Sequence, residues 1–264
     1  LATLLLTAAA ATGAADPDEG KRFNAWLDAY WEETLVRQPI TATFIGDPRY
    51  NDRVVDFTTA AWRDDNRRTI ERQLKELGGF DRRALTGQDR LSYDVLRRDL
   101  EERLEGERFP DWMQPVNQGR NIMAFVAMLG SGDSVQPFRT TRDYDDWYKR
   151  LSGTVPMMDG MIANMRIGLS SGVMQPKPIM EKVLPQIAAL IVSDPEQSLF
   201  WKPMKKFPDT VSAADRERLT TSFRILIKDR VMPAYQRMHD FVRDEYIPQA
   251  RATTAWSDLP DGKA

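Results

Sequence analysis

The feature that most limits what this chain can fold into is an apolar stripe near its end. Leu219, Phe223, Leu226, Ile227, Val231, Tyr235, Met238, Val242 and Tyr246 recur at steps of three and four residues, the spacing that puts side chains on one face of an α-helix. Ser212 with Asp215 reads as an N-cap followed by an acidic first-turn residue, which satisfies free N–H groups and suits the positive end of the helix dipole. One long helix is therefore predicted up to Ala250. It would run on the order of 50 Å and bend at Pro233, which has no N–H to donate. A turn at Leu259-Pro260-Asp261-Gly262 follows.

The preceding chain supplies helices to pack against it. Phe23, Trp26, Leu27, Tyr30, Trp31 and Leu35 form a core-facing stripe that stops before Pro39. Residues 39–53 read as a polar and aromatic loop. Thr58 or Thr59 caps a helix holding Trp62, Ile70, Leu74 and Leu77, closed by Gly78-Gly79, with Asp64 and Arg68 paired on its outer face. Thr86 with Asp89 opens a helix carrying Tyr93, Leu96, Leu100 and Leu104. Residues 109–119 are irregular. The even apolar run 122–129 is read as a buried helix, with a strand left open as the alternative. Thr141 caps a helix with Tyr144, Trp147, Tyr148 and Leu151, and Pro156 starts the next one, with Met158, Met161, Ile162, Met165 and Leu169 on one face. Residues 177–192 are helical with a bend at Pro185, and 194–208 form a loop over an apolar surface. No alternating strand run and no tandem repeat occurs. The expectation is an all-α, multi-helix array with a long, proline-bent C-terminal helix and no substantial sheet, residues 16–264 forming a single helical domain.

Residues 1–15 (LATLLLTAAAATGAA) are apolar, rich in small residues and followed by an acidic start. They read as the remnant of an export signal, clipped of its methionine and basic region, so the protein is expected to be exported, periplasmic or secreted, with no membrane span after signal cleavage.

Composition removes whole classes of chemistry. With 37 basic and 39 acidic residues spread throughout, no basic stripe tracks a phosphate backbone, which argues against nucleic acid as partner. The absence of cysteine excludes disulfides and thiol nucleophiles, and with a single histidine a catalytic zinc site within the chain is not expected. That histidine, His239, sits at the margin of the terminal stripe beside Asp240; adjacent helical positions point about 100° apart, so the pair is not preset as a base with its orienting acid. The doublets Glu32-Glu33, Asp64-Asp65, Glu101-Glu102 and Asp145-Asp146 read as solvated helix faces. No Gly-x-Ser-x-Gly elbow occurs, and Gly130-Ser131-Gly132 reads as a turn. No catalytic or metal-binding residue is assigned. The best candidates for ligand contact are Asn117, Gln118 and Arg120, polar residues in a proline-containing loop.

Four passages carry a family resemblance. They are Pro39-Ile40-Thr41-Ala42-Thr43 leading to Gly46-Asp47 and Tyr50-Asn51-Asp52-Arg53; Asp89 through Leu96; Tyr148 through Pro156 to Gly168 with Pro176-Lys177; and Val231 through Tyr235, then Glu245 through Arg251 and Leu259 through Gly262. In order and spacing they resemble the N-terminal half of the bacterial "domain of unknown function 885" proteins, exported helical proteins similar to zinc metallopeptidases. The resemblance implies a hydrolase acting on peptides or related amides, whose His-Glu and His zinc ligands lie in a C-terminal half that this sequence does not include. This chain would then be the non-catalytic N-terminal portion, supplying scaffold and part of the substrate cleft, with that other half as its partner and a peptide as substrate. The alternative is a complete periplasmic helical module that binds a peptide or protein without catalysis.

Overall fold

The computed structural model describes residues 17–119 and 121–263; residues 1–15, read from sequence as the remnant of an export signal, and Arg120 lie outside the described residues. Ten α-helical segments follow one another there: α1 (Pro17–Arg37), α2 (Pro39–Phe44), α3 (Ala60–Leu77), α4 (Gly87–Gly106), α5 (Ile122–Leu129), α6 (Thr141–Ser171), α7 (Lys177–Ala188), α8 (Ala213–Leu226), α9 (Met232–Phe241) and α10 (Ile247–Gln249). No strand occurs among the described residues, and the chain is all-α. Its contacts divide it into two compact units. One comprises residues up to Thr34 with Asp64–Phe109; the other comprises Leu35–Arg63 and everything from Pro110 onward.

The first unit packs α1, α3 and α4 around Phe23, Ile70, Leu77, Leu85, Tyr93 and Leu100. Rings dominate it: Phe23 meets Phe80 edge-on at 5.4 Å, and Trp26 stacks on Tyr30 at 5.5 Å. Trp31, expected in the core, is exposed, because the stripe centred on Phe23, Leu27 and Tyr30 leaves it at the margin. The α3 cap is as expected, Thr59 Oγ1 accepting from the Trp62 N–H at 3.2 Å. Arg68 pairs with Asp65 and not with Asp64.

In the second unit the sequence predicts a new helix at Pro156, but α6 runs through it for 31 residues. A mid-helix proline costs about 3 kcal/mol. Trp147, Leu151, Met158, Met161 and Met165 are all buried along α6, and at about 1.5–3 kcal/mol for each large apolar side chain their burial outweighs that cost. The α6 cap is Thr140, one residue earlier than expected, in a reciprocal box with Asp143. Gly172, at φ 82°, ends the helix in the left-handed conformation that glycine adopts without strain. The run 122–129 is the helix α5, capped by Asn121, whose side chain accepts from the Met123 and Ala124 N–H groups. The stretch 39–53, expected to be a loop, begins with the short helix α2, Pro39 occupying a first-turn position where its missing N–H is harmless. The segment 194–208 contains tight 3-10 turns that bury Phe200, Trp201 and Met204.

From Ala213 to Gln249 the backbone is helical without a break, and Ser212 caps it through the Asp215 N–H at 3.1 Å. Two π turns interrupt the α-helical hydrogen bonding of this run, Ile227–Val231 and Val242–Tyr246. Each lies just ahead of a proline, Pro233 or Pro248. A proline leaves the carbonyl four residues earlier without its helical donor, and here those carbonyls, of Asp229 and Asp244, fall inside the widened turns. Three arginine–carboxylate pairs, each joined by two hydrogen bonds, link this run to α6: Arg218 with Asp145, Arg237 with Asp159, and Arg166 with Glu245. The pairs advance in the same sense on both, so the two helical runs are parallel. Tyr235 is fully buried and donates its hydroxyl to the Met123 carbonyl at 3.0 Å.

Candidate functional site: a charged cleft beside a buried arginine

The segment 39–58 is held on one face of α6. Arg150 is 1% exposed, yet no carboxylate touches it. Its Nε donates to the Arg53 carbonyl at 2.8 Å, Nη1 to Gln136 Oε1 at 2.6 Å, and Nη2 to the carbonyls of Tyr50 at 2.6 Å and Pro39 at 3.3 Å. A guanidinium has five donors in a fixed plane, so one side chain fixes three points of a segment that has little regular structure. Burial pushes the Arg150 pKa down to about 10, with Asp52 and Asp146 acting in the opposite direction, and the group stays charged at neutral pH. About four turns further along α6, Asn164 Nδ2 donates to the Thr58 carbonyl at 2.9 Å. Between them a Cβ on Gly160 would fall 2.1 Å from Thr58 Oγ1; this close crossing requires glycine.

Between this segment and the first turns of α6 lies a cleft of about 610 Å³, lined by Arg49, Asp52, Arg53 and, from α6, Thr141, Arg142, Asp145, Asp146 and Lys149. The α6 residues fall on one face because they recur at three- and four-residue steps. Tyr50 carries Arg49 and Arg53 over its ring, at 5.3 and 5.0 Å from the centroid. Asp146 is buried, and its ion pairs are long, 3.6 Å to Arg142 and 4.0 Å to Lys149. Lys149 also stands 3.6 Å from Asp52. Burial first, and the negative charge of Asp52 second, raise the Asp146 pKa above the ordinary aspartate value. The outer parts are tightly paired: Asp47 accepts from Arg49, which holds its carboxyl below the usual range, and Asp145 accepts from Arg218. The cleft thus offers both signs of charge a few ångströms apart, able to take up a ligand with an ammonium and a carboxylate.

Neither Asn117 nor Gln118 is among the residues that line this cleft. Asn117 is half-buried and its Oδ1 accepts from the Gly119 N–H at 2.9 Å, closing a turn; Gln118 is exposed. The doublet Asp145-Asp146 is not a solvated face throughout, since Asp146 is buried. His239 Nδ1 does reach Asp240 Oδ1, at 3.1 Å; side-chain torsions close a gap that the backbone directions leave open. The same aspartate accepts from Gln236, and these two bonds lower its pKa. Arg150 was missed although a signal existed: it falls in the stripe Trp147, Arg150, Leu151, Thr154, Met158, Met161, and a charge inside an apolar stripe is a candidate for burial with partners.

The described part is thus an all-α protein whose central helix and one tethered segment frame a mixed-charge cleft. Residues 39–264 match the model of the family described as "Bacterial protein of unknown function (DUF885)". The chain belongs to this family. No curated protein matches the sequence. Among solved structures, the fold is similar to that of the "putative lipoprotein from Colwellia psychrerythraea", with a TM-score of 0.77 and 15% identity over 93% of this chain. The chain covers 44% of that protein's length. Among the described residues no helix is long and apolar enough to cross a membrane.

Proposed function

We propose that this chain is the non-catalytic helical portion of an exported, zinc-dependent, peptidase-like hydrolase, supplying scaffold and one wall of the substrate cleft. The observation that carries this reading is the unequal coverage of the solved relative: nearly all of this chain shares its fold, yet more than half of the relative lies beyond the match. The donors of this chain do not fit a zinc site. His239 is the sole imidazole, no thiol exists, and no three His, Cys, Asp or Glu residues come together among the described residues. No catalytic step is therefore assigned to any residue here, and the metal belongs to sequence beyond residue 264. The contribution of this portion is binding: the carboxylates and guanidiniums around Asp52 and Asp146 suit the termini of a short peptide. The test is to express the gene with its downstream sequence beside residues 1–264 alone. Stoichiometric zinc and peptide hydrolysis are expected only in the longer product. Hydrolysis by residues 1–264, or a reading frame that stops after Ala264, overturns the proposal.

The mixed-charge cleft also favours a second reading, a peptide-binding module without catalysis, since it is complete within the described residues. Peptide binding without turnover, by a gene product that stops after Ala264, would select it.

A further inference from the structure

One exposed group of apolar side chains in the second unit spans two helices that carry no charged residue. Phe44, at the end of α2, stacks on Phe125 of α5 with ring centroids 6.2 Å apart and planes at 18°. Met128 lies one helical turn beyond Phe125, and Ile45 adjoins Phe44 in sequence. Phe44, Ile45 and Met128 are 50%, 55% and 48% exposed, while Phe125 is half-buried and packs on the core below. Neither α2 (PITATF) nor α5 (IMAFVAML) contains a charged residue. The exposed apolar residues of α4, Leu91 and Val95, have a different setting, on a helix dense in ion pairs such as Arg97 with Glu101 and Arg98 with Glu102. Single exposed apolar side chains need no explanation, whereas a contiguous group marks a surface that something covers.

We propose that the patch formed by Phe44, Ile45, Phe125 and Met128 is the seat of the polypeptide that follows residue 264 in the full gene product. This rests on the reading above that residues 1–264 are one portion of a longer chain. The occupant is inferred from the solved relative, in which the fold shared with this chain accounts for 44% of the length. The remainder of such a protein must pack somewhere, and an exposed apolar group spanning two helices that carry no charged residue gains by being covered. A covalently attached segment reaches such a surface at high effective concentration.

The absence of cysteine makes the test direct. Single cysteines are placed at the patch (Phe44→Cys, Met128→Cys) and on α4 (Leu91→Cys, Val95→Cys) in the longest product the gene encodes, with any downstream cysteine changed to serine. Maleimide labelling is timed for the native protein and for the same protein in denaturant. All four positions are about half exposed or more in residues 1–264. The proposal expects the two patch cysteines to label at least about tenfold more slowly than the two α4 cysteines, at every protein concentration. Equal labelling of the four overturns it, and leaves the hydrolase reading intact if the longer product binds zinc and cleaves peptide. Protection that fades on dilution overturns it in favour of a second copy of the chain. A gene that ends at residue 264 removes the covalent occupant and the hydrolase reading together.

Discussion

The two units of this protein are built on different physical terms. The first is held chiefly by rings and aliphatic side chains; charges on α4 pair within the helix over four residues, as in Arg97 with Glu101 and Arg98 with Glu102, and surface pairs such as Arg82 with Asp94 and Arg72 with Glu33 span 12 and 39 residues. The second buries Arg150, Asp146, Gln136, Thr154 and Asn164, and several of its charged side chains reach partners 73 to 111 residues away in sequence. Local charge pairs contribute a few tenths of a kcal/mol and are forgiving. Buried polar groups stabilise only when fully satisfied, and they fix one geometry. A unit that places such groups around a cleft is spending stability on position, which is where a binding site is expected.

The contrast is sharpest at Arg150. Arg150→Met keeps much of the apolar stem but leaves the carbonyls of Arg53, Tyr50 and Pro39 without their donor. A loss of at least about 3 kcal/mol is expected by urea unfolding; a loss below about 1 kcal/mol would erase the distinction between the units. The glycines come next. Gly130→Ala would place a Cβ 2.1 Å from the buried Trp147 ring, an overpacking worth about 1–3 kcal/mol. Gly106→Ala on α4, where nothing lies within 4 Å, should instead raise stability by up to about 1 kcal/mol; thermal melts of the two variants should move in opposite directions.

Asp146 gives a smaller effect with a characteristic pH dependence. Its folded carboxyl titrates above the ordinary value of 3.8, so near that pH the folded state holds more protons than the unfolded one. The contribution of this group to stability therefore falls as pH rises from about 4 through its folded pKa. Asp146→Asn removes that fall, and the variant should gain on the parent between acid and neutral pH. Asp240, Asp244 and Glu245 have the opposite sign: their pKa values are lowered, and their contribution is lost as pH drops below their unfolded values. Smallest is Glu101→Gln on α4, expected to change stability by less than about 0.5 kcal/mol and to lose even that in high salt.

Helix placement was legible in the sequence wherever the cause was local. The stripe from Leu219 to Tyr246, the caps at Ser212 and Thr59, and the stop at Gly78-Gly79 each follow from a few neighbouring residues, and each is where the spacing puts it. Pro156 misled because the burial that carries α6 through it comes from residues far away in sequence. The cleft was illegible for the same reason. Asp52 and Asp146 are brought together by Arg150, whose partners lie 14 to 111 residues away, and no pattern within a helical turn encodes that. The loop at Asn117 attracted notice through its composition, but its side chain is engaged in holding the loop's own backbone.

The π turns of the terminal helix set its phase against α6. The sequence separation of the three arginine pairs grows along the helices from 73 to 78 to 79 residues, whereas two regular parallel helices would keep it nearly constant. The last increment has the size of the one residue by which an i→i+5 turn exceeds an i→i+4 turn. Deleting one residue from Val242–Tyr246 would restore a regular helix and rotate everything after it by about 100°, carrying Tyr246 away from the Gln175 N–H that it now accepts at 2.7 Å. Chain length, more than residue identity, is what this helix cannot change.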